Sequence, residues 1–153
     1  MSYEDLLIEA DNTGLIVKEK PLPISKGRIK GKKIAIRQNI PTLREKTCVL
    51  AEELGHYHTT VGNILDQTST GNRKQERAGR LWDYDHLIGL SGIIQGFHAR
   101  CQNRHELAEC LGVTEEFLQD ALDYYKEKYG IMAEIDGYTV MFEPSLAVIE
   151  KFN

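Results

Sequence analysis

A helical apolar pattern between Pro41 and Thr60 constrains the fold of this chain more than any other feature. Its apolar members recur at roughly three- and four-residue spacing: Leu43, Val49, Leu50, Leu54 and Tyr57. This periodicity predicts a long amphipathic helix that begins at Pro41 or Thr42 and ends at about Thr60. Such a helix needs an apolar surface to cover it, and 41% of the residues are hydrophobic, which is enough for one core.

Shorter patterns place the other elements around this helix. The other predicted helices cover residues 2–12, 73–82, a segment of about 83–98 capped by Asp83 or Asp85, 103–112 and 114–130. The predicted strands cover 15–17, a strand–turn–strand over 27–40 and a hairpin over 131–143 around Asp136-Gly137, with a loop at 62–72 and a last helical turn at 145–152. The pattern predicts an α+β fold that is mainly helical, with small antiparallel β-hairpins.

The length of 153 residues favours a single domain over 1–153. Its core is expected within residues 25–100, and a C-terminal helix pair and hairpin over 103–153.

Nucleic acid is not an expected partner, because the net charge is −4. No apolar run approaches the ~20 residues of a membrane helix, and residues 1–5 lack the basic region of a signal peptide. Three cysteines form neither a disulfide framework nor a CxxC motif, so we expect a cytoplasmic protein.

The predicted helix carries the segment Glu52-Glu53-Leu54-Gly55-His56, which has the spacing of a metal site. Residues four apart lie ~40° apart around a helix and ~6 Å along it, so Glu52 and His56 can bind one ion from the same face. Glu53 lies on the flank of that face, where it can take a proton from water. This is the geometry of the zincin helix, in which two histidines bind zinc and a glutamate is the base. Glu52 stands at the first histidine position, and carboxylate oxygen is a legitimate zinc ligand.

A third protein ligand is needed to leave one coordination position for water. Glu76 is the best candidate, because it lies twenty positions after His56 on the following predicted helix. The loop between them is long enough to fold the two helices together. Glu52, His56 and Glu76 would then bind the metal, with Glu53 as the catalytic residue. The alternative interpretation is a solvated helix face, which is where carboxylates on helices usually lie.

Residues 50–56, Leu-Ala-Glu-Glu-Leu-Gly-His, resemble the A-H-E-L-G-H segment of the ImmA/IrrE family of metallopeptidases. Residues 32–39 resemble the strand that ends in Asn before the active-site helix of that family, and residues 75–78 resemble its Q-E-x-x-A segment. The similarity covers roughly residues 25–100. It implies a zincin-like fold with Glu76 as third ligand and metallo-endopeptidase activity. It also implies a protein substrate or partner, a transcriptional repressor of a phage or mobile element.

Glu52 departs from the family pattern, in which this position is a histidine. Two carboxylates and one imidazole make the site formally neutral, so the metal should lower the pKa of bound water less. The expected cofactor is Zn²⁺, with Mn²⁺ as the harder ion that such a site also suits. The alternative to an active peptidase is a weak or inactive zincin-like module that binds a repressor or regulator protein stoichiometrically.

Two further segments admit more than one interpretation. A basic cluster comprises Lys26, Arg28, Lys30, Lys32, Lys33 and Arg37. It is expected to be a solvated edge hairpin, in which lysine blocks unwanted strand pairing, or an edge that contacts substrate. Residues 104–129 resemble a helix-turn-helix, but the second helix opens with Glu115-Glu116, which would repel phosphate. A packing unit or a partner surface is expected there, with Leu118, Leu122 and Tyr125 as its apolar anchors, and a DNA-binding regulator is the third hypothesis.

The remaining histidines have less defined roles. His58 lies ~200° around the helix from His56 and is expected to be structural or exposed. His86, His98 and Tyr84 could approach the site from the next helix, where His86 or His98 would stabilise an oxyanion. An ordinary core or surface role is the alternative for all three.

Overall fold

A computed structural model describes residues 1–60 and 69–152. Within these ranges the chain forms six helices and six strands, and the predicted α+β class is confirmed. The helices are α1 (Tyr3–Asn12), α2 (Leu43–Thr60), α3 (Ser69–Leu87), α4 (Gly89–His98), α5 (Arg104–Leu111) and α6 (Glu115–Tyr129). The strands are β1 (Ile16–Lys20), β2 (Gly27–Lys30), β3 (Lys33–Arg37), β4 (Met132–Ile135), β5 (Tyr138–Met141) and β6 (Ala147–Glu150).

The chain divides into two compact units, Met1–Asp83 and Tyr84–Asn153. The single domain predicted over residues 1–153 stays a prediction. Among the described residues, none of the helices combines the length and the apolar character needed to cross a membrane.

The first unit contains a three-stranded sheet with the strand order β1-β3-β2. Strand β3 pairs antiparallel with β2, as the predicted strand–turn–strand requires, but it pairs parallel with β1. The prediction of antiparallel pieces alone was therefore incomplete: β2 lies between β1 and β3 in the sequence and runs opposite to both, so β3 runs in the same direction as β1. Ile34 and Ile36 of β3 are buried on the side of the sheet that packs against α2.

Helix α2 follows the predicted boundaries and lies across this sheet. Its buried positions include Leu50 and Leu54, both fully inaccessible, together with Gly55. Leu6 of α1 is also fully inaccessible and belongs to the same unit. Val49, Leu50 and Leu54 of the apolar pattern thus form the core-facing side of the helix, whereas Leu43 at its start is exposed. Glu52 and His56 lie on the more exposed side.

The second unit is built on the predicted helix pair and hairpin. Asn103 caps α5, Thr114 caps α6, and Gly112 joins the helices with a φ of 71°, a left-handed conformation that favours glycine. Leu118 and Tyr125 are fully buried, so these two predicted anchors belong to the core of the unit. The hairpin around Asp136-Gly137 is confirmed as β4 and β5, which pair antiparallel.

Three local predictions differ from the structure. The last helical turn predicted at 145–152 is wrong: Ala147–Glu150 form β6, whose pairing of Val148 with the buried Val140 extends the sheet. Asp83 and Asp85 do not cap a helix, because α3 continues through them to Leu87 and ends before Gly89, which has a φ of 62°. Most of the loop predicted at 62–72 lies outside the described residues, and from Ser69 onwards that segment is already helical.

Candidate metal centre

Glu52 and His56 lie one turn apart on α2, with their side chains directed at each other. Glu52 Oε1 and His56 Nε2 are 3.9 Å apart, and both side chains reach solvent. The interaction with His56 lowers the pKa of Glu52. The same contact with Glu52 raises the pKa of His56, as do the charges of Glu53 and Glu76. The helical spacing therefore brings together the carboxylate and imidazole that the sequence predicted as neighbours.

Glu53 occupies a different environment from its neighbour Glu52. It is only 7% exposed, and burial raises its pKa to about 7. The side chain lies against β2: a Cβ atom on Gly27 would be 3.0 Å from Glu53 Oε1 and 2.8 Å from a methyl carbon of Val49. Glycine at position 27 therefore leaves the space that this carboxyl group occupies. A carboxyl group with a pKa near neutrality can exchange protons at physiological pH, as a general base requires.

Helices α2 and α3 approach each other at two glycines. A Cβ atom on Gly55 would lie 2.8 Å from the carbonyl oxygen of Gly79 and would overlap the Asp83 carboxylate. A Cβ atom on Gly79 would lie 3.8 Å from His56 Nδ1, an ordinary contact distance. The close packing of these backbones brings the face of α3 that carries Gly79 next to the His56 ring.

Asp83 is a buried carboxyl group that the sequence did not identify as part of this region. It is 4% exposed, and within the described residues its Oδ1 atom is a buried polar atom without a hydrogen-bond partner. Burial, together with the charges of Glu52 and Glu53, raises its pKa to about 9. At neutral pH the group is therefore protonated in the folded protein without an added cation.

Glu76 lies on α3, on the side of the helix that faces His56. Its charge is near enough to raise the pKa of His56. Its side chain is 62% exposed, however, and Oε1 lies 3.5 Å from Arg80 Nη2. Across residues 1–60 and 69–152, no group of three or more His, Cys, Asp or Glu side chains is close enough together to hold a metal ion. The structure thus brings Glu52 and His56 into one pair and places Glu76 beside Arg80.

Comparison with known proteins gives no assignment. No family model, curated protein or solved structure matches this chain. The resemblance to the ImmA/IrrE metallopeptidases consequently stays a prediction, which rests on the motifs in residues 32–39, 50–56 and 75–78.

The other histidines have partners of their own. His58 is exposed and stacks on Trp82, with ring centroids 4.8 Å apart, in agreement with its predicted position away from His56. In the second unit, His98 Nε2 and the Tyr138 hydroxyl are 2.8 Å apart. Tyr84 is buried in that unit against Phe117. The exposed His98 and the buried Tyr84 therefore both make their contacts within the second unit.

The helical spacing of residues in the sequence contained a signal for Asp83, the carboxylate that the sequence analysis did not assign to this site. Gly79 and Asp83 follow Glu76 by three and seven positions, so all three share one face of a helix. On α2, Gly55 and His56 follow Glu52 by three and four positions in the same way. A glycine on the polar face of each helix indicates that the helix can pack closely against another one. The sequence does not show which two helices pack together.

Proposed function

We propose that this protein is a metal-dependent endopeptidase whose site is formed by α2 and α3. The observation that carries the proposal is the contrast between three side chains on two turns of α2. Glu52 and His56 are paired and reach solvent, whereas Glu53 is buried with a pKa of about 7. Two potential ligands beside a carboxyl group of near-neutral pKa are the components that metal-assisted hydrolysis requires.

The chemistry of the donor set fits a divalent cation. Glu52, His56 and Glu76 supply two carboxylates and one imidazole, which are ordinary ligands of Zn²⁺ and Mn²⁺. Burial is the main cause of the raised pKa of Asp83 and Glu53, the charge of Glu52 adds to both shifts, and among the described residues Asp83 Oδ1 has no hydrogen-bond partner, so several carboxyl groups and their potential negative charge share one region. A cation would offset that charge, and its binding would release the protons held by these groups.

The metal and the residues around it would have separate roles in peptide hydrolysis. A bound metal supplies Lewis acidity toward a peptide carbonyl and toward water. Glu53 takes a proton from the attacking water and then passes it to the leaving amine. Its burial against Gly27 fixes the carboxyl group in one place and keeps bulk water from its far side. Edge strand β2 lies beside Glu53 and is the natural place for an extended substrate segment.

The substrate class comes from the resemblance to the ImmA/IrrE family. It favours a cytoplasmic regulatory protein, such as a transcriptional repressor of a phage or mobile element. The carboxylate of Glu52 makes the metal site formally neutral, and activity is therefore expected to be slower than that of a site with two histidines.

Zinc analysis combined with one substitution tests the proposal. Protein purified without chelators should contain about one zinc or manganese ion per chain and should cleave peptides of a mixed library, as followed by mass spectrometry. Glu53→Gln should abolish cleavage and retain the metal, whereas Glu4→Gln on exposed α1 should change neither. Cleavage by the Glu53→Gln protein at the wild-type rate, or a chain that binds no divalent metal, would refute the mechanism.

A second candidate function is supported by the position of Glu76. Glu76 Oε1 lies 3.5 Å from Arg80 Nη2, and among the described residues no three donors are close enough together to hold a metal ion, so the third donor is engaged in an ion pair. A zincin-like scaffold with an incomplete donor set fits a module that binds a repressor or regulator protein stoichiometrically. Binding would then be unaffected by Glu53→Gln but would be lost on changing exposed residues of α6, such as Glu116 and Asp123.

A further inference from the structure

The outer face of sheet β1-β3-β2 carries a concentrated positive charge. Strand alternation and register place eight side chains on the side of the sheet opposite Ile34 and Ile36. They form three cross-strand rows: Ile16, Lys33 and Lys30; Lys18, Ala35 and Arg28; Lys20 and Arg37. Six of the eight are basic and none is acidic. We call this surface the basic sheet face.

The acidic residue of these strands lies on the other side. Glu19 of β1 pairs in register with the buried Ile36 and forms an ion pair with Lys46 of α2. Within residues 1–60 and 69–152, no ion pair involves any of the six cations of the basic sheet face, although Arg37 Nε donates a hydrogen bond to the carbonyl oxygen of Leu22. Their charge is therefore not neutralised by neighbouring side chains of the described chain.

Edge protection does not account for this arrangement. Lysine on an edge strand prevents unwanted strand pairing, but Lys33 and Arg37 lie on β3, the central strand. The register also sets Lys30 directly opposite Lys33, and Lys20 directly opposite Arg37. Like charges at directly paired positions destabilise a sheet. These two pairs therefore lower the stability of the fold, even though the net charge of the chain is −4. Binding of a polyanion to this surface would offset that loss of stability.

We propose that the basic sheet face binds the phosphate backbone of duplex nucleic acid without reading its sequence. The face is ~10 Å wide across three strands and ~13 Å long over five residues. A duplex carries one negative charge per ~1.7 Å of its axis, so a length of ~13 Å carries about eight phosphates around its circumference, and those on the facing side come within reach of the six cations. The two remaining side chains of the face, Ile16 and Ala35, cannot stack on bases, and this favours contacts to the backbone of a duplex over single strands.

The metal centre and the basic sheet face share no residue, but Arg28 and Lys30 lie on β2, the strand proposed to hold the peptidase substrate, so duplex binding is measured separately from peptide cleavage. The overall charge of −4 argued against nucleic acid as a partner, but a net charge averages over a surface on which the cations are segregated. The acidic remainder of the chain would orient the molecule, so that the basic sheet face approaches a polyanion first.

Fluorescence anisotropy with a labelled 20-base-pair DNA duplex of arbitrary sequence tests the proposal on the full chain. Binding is expected in 50 mM salt and should weaken by about 10³-fold in 200 mM salt if all six cations contact phosphates. The triple variant Lys18→Gln, Arg28→Gln, Lys33→Gln should reduce the slope of log affinity against log salt by about 3. The control variant Lys74→Gln, Arg100→Gln, Lys128→Gln has the same net charge and should bind like the wild type.

Each outcome decides for or against the basic sheet face. Absence of duplex binding in 50 mM salt, or equal loss in the triple variant and its control, overturns the proposal. Binding to vesicles of anionic phospholipid or to poly-glutamate, without binding to the duplex, also overturns it and assigns the face to a membrane or to an acidic protein. Circular dichroism establishes whether each variant is folded. If the triple variant is unfolded, the single variant Arg28→Gln replaces it and should lower the slope of log affinity against log salt by about 1.

Discussion

Gly55 of α2 faces Gly79 of α3 so closely that a Cβ atom on Gly55 would lie 2.8 Å from the Gly79 carbonyl oxygen. The contact is asymmetric, because a Cβ atom on Gly79 would lie at ordinary contact distances, 3.5 Å from Thr59 Oγ1 and 3.8 Å from His56 Nδ1. One glycine is therefore required by packing and the other is not. This relationship fixes the distance between the helix that carries Glu52 and His56 and the helix that carries Glu76 and Asp83.

The asymmetry predicts opposite effects for two alanine substitutions. Gly55→Ala should lower the free energy of unfolding by about 1–3 kcal/mol, because the new methyl group overlaps backbone and the Asp83 carboxylate. Gly79→Ala should be neutral or raise it by up to about 1 kcal/mol, since alanine is the better helix former. Urea denaturation of both variants measures the difference. Equal effects of the two substitutions would contradict the packing described for this crossing.

Asp83 should make stability depend on pH. Its pKa rises from an ordinary 3.8 in the unfolded chain to about 9 in the folded protein. Below pH ~4 both states hold the proton; between about 4 and 9 only the unfolded state releases it, so the free energy of unfolding falls as pH rises through this window. Asp83→Asn removes that loss, because the amide is neutral at every pH.

The Asp83→Asn variant should therefore match the wild type near pH 4 and be more stable by roughly 3–4 kcal/mol at pH 7. Thermal denaturation in the presence of a chelator, at pH 4 to 9, provides the measurement. Asp11→Asn, on an exposed position of α1, is the matched control and should leave the pH dependence unchanged. A wild-type stability that rises between pH 5 and 8 through this residue would show that Asp83 is ionised in the folded state.

The Glu52–His56 pair predicts a coupled titration. Contact with Glu52 is the largest influence that raises the pKa of His56, so Glu52→Gln should lower the His56 pKa toward or below its ordinary value of 6.5. Proton NMR of the imidazole ring in metal-free protein follows this directly. Glu116→Gln on α6 serves as the control, and an unchanged His56 pKa in Glu52→Gln would mean that the two side chains do not interact in solution.

Metal binding should appear as a gain in stability. A metal that binds only the folded chain stabilises it by about 2.7 kcal/mol at a hundred times its dissociation constant. Adding zinc should therefore raise the melting temperature of the wild type but not of His56→Ala. His58 lies on the same helix as His56, but its ring stacks on Trp82 of α3. The His58→Ala variant should therefore retain the zinc-dependent rise in melting temperature. A rise that survives His56→Ala would place the metal elsewhere.

In the second unit, the Tyr125 hydroxyl group connects two elements. It donates a hydrogen bond to Asp85 Oδ1 at 2.9 Å and accepts one from the Gly89 amide at 3.1 Å. Tyr125→Phe should cost about 1–3 kcal/mol, because the amide and carboxylate lose a partner in a part-buried place. Tyr129→Phe, on the same helix, should change stability by less than about 0.5 kcal/mol. Denaturation of the two variants under the same conditions gives the comparison.

The helices and hairpins with strong local signals were predictable from the sequence. Periodic apolar residues predicted α2, caps at Asn103 and Thr114 predicted α5 and α6, and Asp136-Gly137 predicted the β4–β5 turn. The pairing of Glu52 with His56 was predictable for the same reason, since four-residue spacing fixes neighbours on any α-helix. In each case the interacting groups lie within a few residues of each other along the chain.

What only the tertiary structure decided involves residues far apart in the sequence. The parallel pairing of β1 with β3 assembled the basic sheet face. Residues 147–150, where a helical turn was predicted, form a strand because they pair with β5. Close approach at Gly55 buried Asp83, and Gly27 made room for Glu53. Local sequence sets which side chains share a face. Burial, and with it the protonation of a carboxyl group, depends on which face another segment covers, because desolvation is a property of the whole packed neighbourhood.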